Sequence, residues 1–317
     1  MGSRAGTSLL TAVARGAKSL VDVNIDGCDV SDAAVISLAS SLWPHHAEIT
    51  RLNLSGNKLE CKAAVALASA RLGREYRDAI GVEELILARN SIAASGAAAI
   101  SRALCATSTC DPASWSPLSR VVTLSLAHNV SVPESAIRTL ANALRDGAPL
   151  LRQLDISRCS VGTAGAGAIA DALIARGEDH RLDVLYMNGC KLYATGVAKL
   201  CSALALIGEL GLARNAMGDQ GAAAIACALQ QEFVSASGLG SVLRVLDLRD
   251  NVIGKEGGRR LVASITAHGT RKSTISQSLD TLEVGNNRIN DHHLASLRDL
   301  AALRDHARMR RSCKSVV

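Results

Sequence analysis

The 317-residue chain has almost no aromatic side chains: one Phe, three Tyr and two Trp. A core of stacked rings is thereby excluded, and the interior must come from the Leu, Ile, Val and Ala that dominate its 48% hydrophobic content. Small aliphatic side chains let backbones approach closely, which suits regular stacked units. The sequence has no CxxC pair and no Cys/His grouping at zinc spacing. Its nine cysteines therefore read as reduced thiols, buried as small hydrophobes in an intracellular protein. No apolar run is long enough for a membrane span, since "SLLTAVA" near the start is interrupted by Arg15.

Catalytic signatures are missing too. No G-x-x-x-x-G-K-[ST] loop occurs, "GTAGAG" at 162–167 has no Lys after it, and no G-x-S-x-G elbow is present. His45–His46 and His292–His293 are adjacent pairs, whereas two ligands on one helical face need i, i+4 spacing. These absences lead us to expect no enzyme activity, no metal or other cofactor and no small-molecule substrate. The formal charge of +6 sits at the ends. Arg4, Arg15 and Lys18 have no acidic neighbour before residue 22, and 298–317 carries six Lys/Arg against two Asp. The nearly neutral body argues against a nucleic-acid groove.

What the chain does have is a repeated phrase. L-x-x-L-x-L-x-x-(N/C)-x-L appears as "LVDVNIDGCDV" (20–30), "ITRLNLSGNKL" (49–59), "VEELILARNSI" (82–92), "VVTLSLAHNVS" (121–131, a looser copy) and "LRQLDISRCSV" (151–161). It continues as "LDVLYMNGCKL" (182–192), "IGELGLARNAM" (207–217), "LRVLDLRDNVI" (243–253) and "LDTLEVGNNRI" (279–289). Between copies lie Ala-rich segments with a closing Leu at helical spacing, such as "SDAAVISLASSL" (31–42) and "YATGVAKLCSAL" (193–204). The L-x-L core predicts a short strand with alternate residues inward. The ninth residue turns the chain, and an Asn there can bond backbone groups that would otherwise be buried unpaired. One strand–helix unit cannot cover its own apolar face, so neighbours must stack.

This frame resembles the leucine-rich repeat, and units of about 30 residues with Ala-rich helices resemble its ribonuclease-inhibitor-like class. The resemblance covers roughly residues 20–300. It implies an α/β leucine-rich-repeat horseshoe solenoid, with a parallel sheet on the concave side and helices on the convex side. The expected organisation is a single domain over 1–317: a cap at 1–19, nine frames at 20–289, and a last helix with a basic C-terminal tail at 290–317. Residues 1–19, which lack acids, also fit a mitochondrial presequence. Longer connections lie at 71–81, 107–119 (with Trp115), 233–241 and 268–278, and such loops often carry function.

The resemblance places the third, fifth, seventh and eighth residues of each frame on the concave side or its rim. Arg89, His128 and Arg158 occupy the eighth place in three consecutive frames, and Arg214 holds it later. With Glu84, Ile86, Val184, Tyr186 and Arg249 they form the candidate partner-binding set, because Tyr and Arg are frequent energetic centres of protein interfaces. The expectation is a non-enzymatic interaction module or scaffold, cytoplasmic, whose partner is another protein. The basic C-terminal tail offers a site for an acidic partner. Two alternatives come with the family. Ran-type GTPase-activating proteins resemble this repeat class, and the "LARN" segments at 87–90 and 212–215 supply Arg and Asn at a rim, although that family usually ends in an acidic tail. The other is a structural subunit of an axonemal or other cytoskeletal assembly, or of a mitochondrial ribonucleoprotein.

Overall fold

Each frame folds as the spacing predicts: three to five residues of strand, a tight turn, then a helix. The computed structural model describes residues 20–42, 49–70, 81–105, 116–231, 242–266 and 278–297. Two compact units divide the chain, Met1–Val161 and Gly162–Val317. The 1–19 segment, His45–His46, Trp115, nearly all of the long connections and the basic tail from 298 lie outside the described residues.

In the first unit the strands are β1 (Asp22–Asn24), β2 (Arg51–Asn53), β3 (Glu84–Ile86), β4 (Thr123–Ser125) and β5 (Gln153–Asp155). They pair in parallel and in strict frame register, Val23 beside Leu52, Leu52 beside Leu85, Leu85 beside Leu124 and Leu124 beside Leu154. These fourth-position residues, and the sixth-position Leu54, Leu87, Leu126 and Ile156, are buried. The helices are α1 (Asp32–Leu42), α2 (Cys61–Ser69), α3 (Ala94–Ala103) and α4 (Glu134–Asp146), each packed against the next. The small residues let these helices approach. A Cβ on Gly96 of α3 would lie 3.0 Å from the Ala64 Cβ and 3.1 Å from the Cys61 Cα of α2.

The second unit opens with α5 (Gly162–Arg176), then alternates β6 (Leu182–Tyr186), α6 (Tyr193–Leu200), β7 (Ile207–Gly211), α7 (Gly218–Leu229), β8 (Val245–Asp247), α8 (Lys255–Thr266) and β9 (Thr281–Glu283). Its strands are parallel as well, with Leu185, Leu210, Leu246 and Leu282 in one row. The repeat beginning at 182 is the shortest, and its expected helix to 204 does not run through. α6 stops at Leu200 and Cys201–Leu206 tightens into a 3-10 helix feeding directly into β7. A 3-10 turn rises faster per residue, so fewer residues return the chain to the sheet. After β9 the chain is helical at 291–297.

Asn at the ninth position acts as foreseen. Asn90 Nδ2 donates to the Leu54 carbonyl of the preceding frame and the Leu87 carbonyl of its own (both 3.0 Å), while Oδ1 accepts from the Asn57 and Leu59 amides (3.1 and 2.9 Å). Asn57, Asn129, Asn215, Asn251 and Asn287 repeat the pattern. Cysteine can only half replace it: buried Cys159 donates its thiol to the Leu126 carbonyl at 3.3 Å. Of the amides an Asn there would have accepted, that of Val132 bonds within its own turn instead, to the Asn129 carbonyl at 3.0 Å.

The expectation of buried thiols is corrected for Cys28 and Cys227, which are exposed, and for Cys61, Cys105 and Cys201, which are half-buried; among the described residues only Cys159 and Cys190 are fully buried. The fourth frame is corrected too. Its turn contains one extra residue, so Val132 rather than Ser131 is the buried eleventh residue, and Val130 is pushed out to 68% exposure.

Candidate functional site

The turn after each strand is closed by a second ladder. The eighth-position amide donates to the seventh-position carbonyl of the next frame: Gly27 to Ser55, Gly56 to Ala88, Arg89 to Ala127 and His128 to Ser157, at 2.7–2.9 Å. Aiming the amide this way holds the residue in the left-handed region. All nine eighth-position residues have φ between 54° and 66°. Glycine adopts that conformation without cost and stands at 27, 56 and 189, whereas other L-residues incur about 1–2 kcal/mol there. The chain nevertheless places Arg89, His128, Arg158, Arg214, Asp250 and Asn286 at the remaining six. Asn, Asp and His tolerate the region best; the three arginines have no such tolerance.

In the first unit, Arg89, His128 and Arg158 are exposed and lie on one turn edge. Arg89 reaches back two frames, where its Nη2 donates to both carboxylate oxygens of Asp26 at 2.8 and 3.0 Å. Arg158 makes no hydrogen bond or ion pair among the described residues. Burial lowers the His128 pKa from its ordinary value. The Arg158 and Arg89 charges lower it further, against the opposing pull of Asp155. On the neighbouring sheet face Arg51 bridges Asp22 and Glu84, at 3.8 and 3.0 Å, so candidate Glu84 is already engaged. Ile86 beside it is half-buried.

In the second unit the candidate residues are also held. Tyr186 donates its hydroxyl to the Glu209 carboxylate, and its ring covers Gly211 on β7. Half-buried Val184 and Val245 stand on either side of Glu209 in the register. Arg214 is paired with Asp250 at 3.2 Å, and Arg249 with Asp247 through two bonds of 2.8 and 2.9 Å.

The fifth position is less available than the frame implies. The side-chain oxygens of Asn24, Asn53, Ser125, Asp155 and Asp247 accept from the seventh-position amide of their own frame, at 2.9–3.4 Å. These residues close the turn before they can meet a partner. Three residues that join the surface were not singled out in the sequence: Asp26, Asp250 and Val130. The extra residue in the fourth frame is the signal that could have found Val130. The two aspartates become relevant only through pairing across frames.

Among the described residues no group of three His, Cys, Asp or Glu side chains could hold a metal ion. No described helix is long and apolar enough to cross a membrane.

A family model described as a leucine-rich repeat matches residues 147–170 and 241–262. Porcine (Sus scrofa) ribonuclease inhibitor is 24% identical over 292 residues, which is 84% of this chain, and the chain spans 60% of that protein's length. Among solved structures, a chain from the yeast Rad7–Elc1 complex superposes at TM-score 0.48 with 14% identity, over 93% of this chain and 70% of the other. With nine copies of one strand–turn–helix frame and these matches, the chain has the leucine-rich-repeat fold, and its units are similar to those of the ribonuclease-inhibitor-like class.

Proposed function

We propose that the chain is a non-enzymatic interaction module that holds another protein against the outward sheet faces and turn edges of its repeats. Leucine-rich-repeat proteins of this kind bind other proteins, as the name of the porcine relative records for that protein. One observation carries the reading: three arginines and a histidine sit at left-handed eighth positions, where glycine would be free of conformational cost. Residues retained at conformational cost point to a role outside folding.

The contact set we propose is Arg89, His128 and Arg158 with Glu84 and Ile86 in the first unit, and Val184, Tyr186, Arg214 and Arg249 in the second. The test begins with proximity labelling to identify partners, followed by pull-down with purified protein. Arg89→Glu together with Arg158→Glu should leave the circular dichroism spectrum unchanged and reduce retention of the partner at least tenfold. Full retention would remove this edge from the contact set. Stimulation of GTP hydrolysis by a Ran-type GTPase would favour the activator reading instead.

A further inference from the structure

We propose that the turn edge of the first unit, built from Arg89, His128 and Arg158 with Val130 beside them, docks an acidic segment of a partner protein. The proposal rests on the interaction-module reading and adds the chemistry of what is bound.

The argument starts from the row. Three consecutive frames place a basic or protonatable side chain at the same register position, and neighbouring strands in a sheet stand about 4.8 Å apart. Arg89 and Arg158 are therefore separated by roughly 10 Å of backbone, the rise of about three extended residues. A segment with carboxylates three residues apart spans that length.

The edge already holds one carboxylate. Both Asp26 oxygens accept from Arg89 Nη2, so an incoming carboxylate on Arg89 meets a guanidinium whose charge Asp26 already partly neutralises. Arg158, exposed and unpaired among the described residues, has no such partner there. Val130 supplies what a purely electrostatic row lacks. The extra residue in the fourth turn leaves it 68% exposed, two positions from His128, where it can cover an apolar side chain of the same segment.

His128 ties the site to pH. The charged groups that act on it are Arg158, Arg89 and Asp155, with Asp26 behind Arg89. Burial acts most strongly, and the two cations add to it against one carboxylate, so the free edge disfavours a third positive charge. A bound carboxylate reverses the balance and favours protonation. Docking should therefore take up a proton and strengthen as pH falls towards 5.5, while glutamate side chains remain largely ionised.

The probe is a fluorescein-labelled peptide of eight glutamates, followed by fluorescence polarisation with the full chain in low salt. The expected results are saturable binding that tightens several-fold from pH 7.5 to 5.5, and at least tenfold weakening by Arg158→Glu. Asp26→Asn, by releasing Arg89, should tighten binding about threefold. His128→Asn, which keeps a residue tolerant of the left-handed region, should abolish most of the pH dependence. No saturable binding overturns the proposal. So does equal weakening by Arg249→Glu in the second unit, which would reveal diffuse attraction. Binding that survives Arg158→Glu and disappears when Arg308, Arg310 and Arg311 become Glu would assign the acidic segment to the C-terminal end. A single-stranded RNA octamer that binds more tightly through Arg158 would replace the protein segment with nucleic acid. A natural partner retained despite Arg158→Glu would overturn this inference while leaving the interaction-module reading intact.

Discussion

The Tyr186 ring rests on Gly211, its register partner on the next strand. A Cβ on that glycine would lie 2.7 Å from Tyr186 Cδ1 and 3.0 Å from Asn188 Oδ1. The glycine also lacks the side-chain oxygen that closes the turn in other frames. Asn188 replaces it from the adjacent frame, its Oδ1 accepting from the Ala213 amide at 2.8 Å. One missing side chain is thus filled by two neighbours.

Gly211→Ala should destabilise the protein by about 1–3 kcal/mol, the usual cost of overpacking a fitted site. Urea unfolding would measure it. Tyr186→Ala in the same chain should relieve the clash, so that the double variant loses at least about 0.5 kcal/mol less than the sum of the single losses. Strict additivity would show that the ring is free to move off the glycine.

The scaffold was legible in the sequence because its determinants are local and periodic. Leu154 and its counterparts are buried where the spacing put them, and Asn90 makes the bonds a ninth-position Asn was expected to make. The surface was legible only as a list. Sequence spacing placed Arg89, His128 and Arg158 at one register position, but not the left-handed backbone that makes them costly. Nor did it show that Arg89 reaches two frames back to Asp26, since that pairing depends on side-chain length and sheet geometry. The fifth-position turn closures are hidden in the sequence for a related reason: an Asn or Asp that accepts from its own turn has the same place in the frame as one that faces solvent.

Asn90→Ala should be among the most damaging single changes. It removes the acceptor for two amides and the donor for two carbonyls in buried surroundings. Each orphaned group costs about 1–3 kcal/mol, which together with partial relaxation gives roughly 3–5 kcal/mol. Leu154→Ala, which hollows the core, should cost a similar 2–5 kcal/mol or so. Chemical denaturation of both variants checks the comparison. A loss below about 1 kcal/mol for Asn90→Ala would mean that solvent replaces the side chain.

Alkylation should sort the cysteines by environment. Burial pushes the Cys159 and Cys201 thiols up to about 12, so neither forms much thiolate near neutral pH. Burial also raises Cys61, but hydrogen bonds from the Ser95 side chain and the Ala93, Gly96 and Ser95 backbone outweigh it and bring the thiol below its ordinary value. Brief iodoacetamide treatment at pH 7.5, read by peptide mass spectrometry, should modify Cys61 and exposed Cys28 well before Cys159 and Cys201. Rapid labelling of Cys159 in the native protein would contradict its place in the turn ladder.

Arg158→Gly offers a test of the strain argument that needs no partner. Glycine removes the left-handed penalty of about 1–2 kcal/mol but restores freedom to the unfolded chain worth about 0.5–1 kcal/mol. The net expectation is a protein more stable by about 0.5 kcal/mol. Were Arg158 kept for the fold, the same change would lower the unfolding midpoint.

His128 gives stability and binding opposite responses to acid. Its folded pKa is lowered below the ordinary 6.5, so the unfolded chain takes up a proton first and the native state loses stability as pH falls beneath about 6.5. The contribution is fully present at pH 7.5, well above both values. Because the side chain is largely exposed, the slope should be shallow, and His128→Asn should flatten it further in thermal melts between pH 7.5 and 5.5. A bound glutamate peptide should raise the folded pKa and shrink the same slope in the wild-type protein. A wild-type melting profile indistinguishable from that of His128→Asn, with and without peptide, would separate the histidine from both effects.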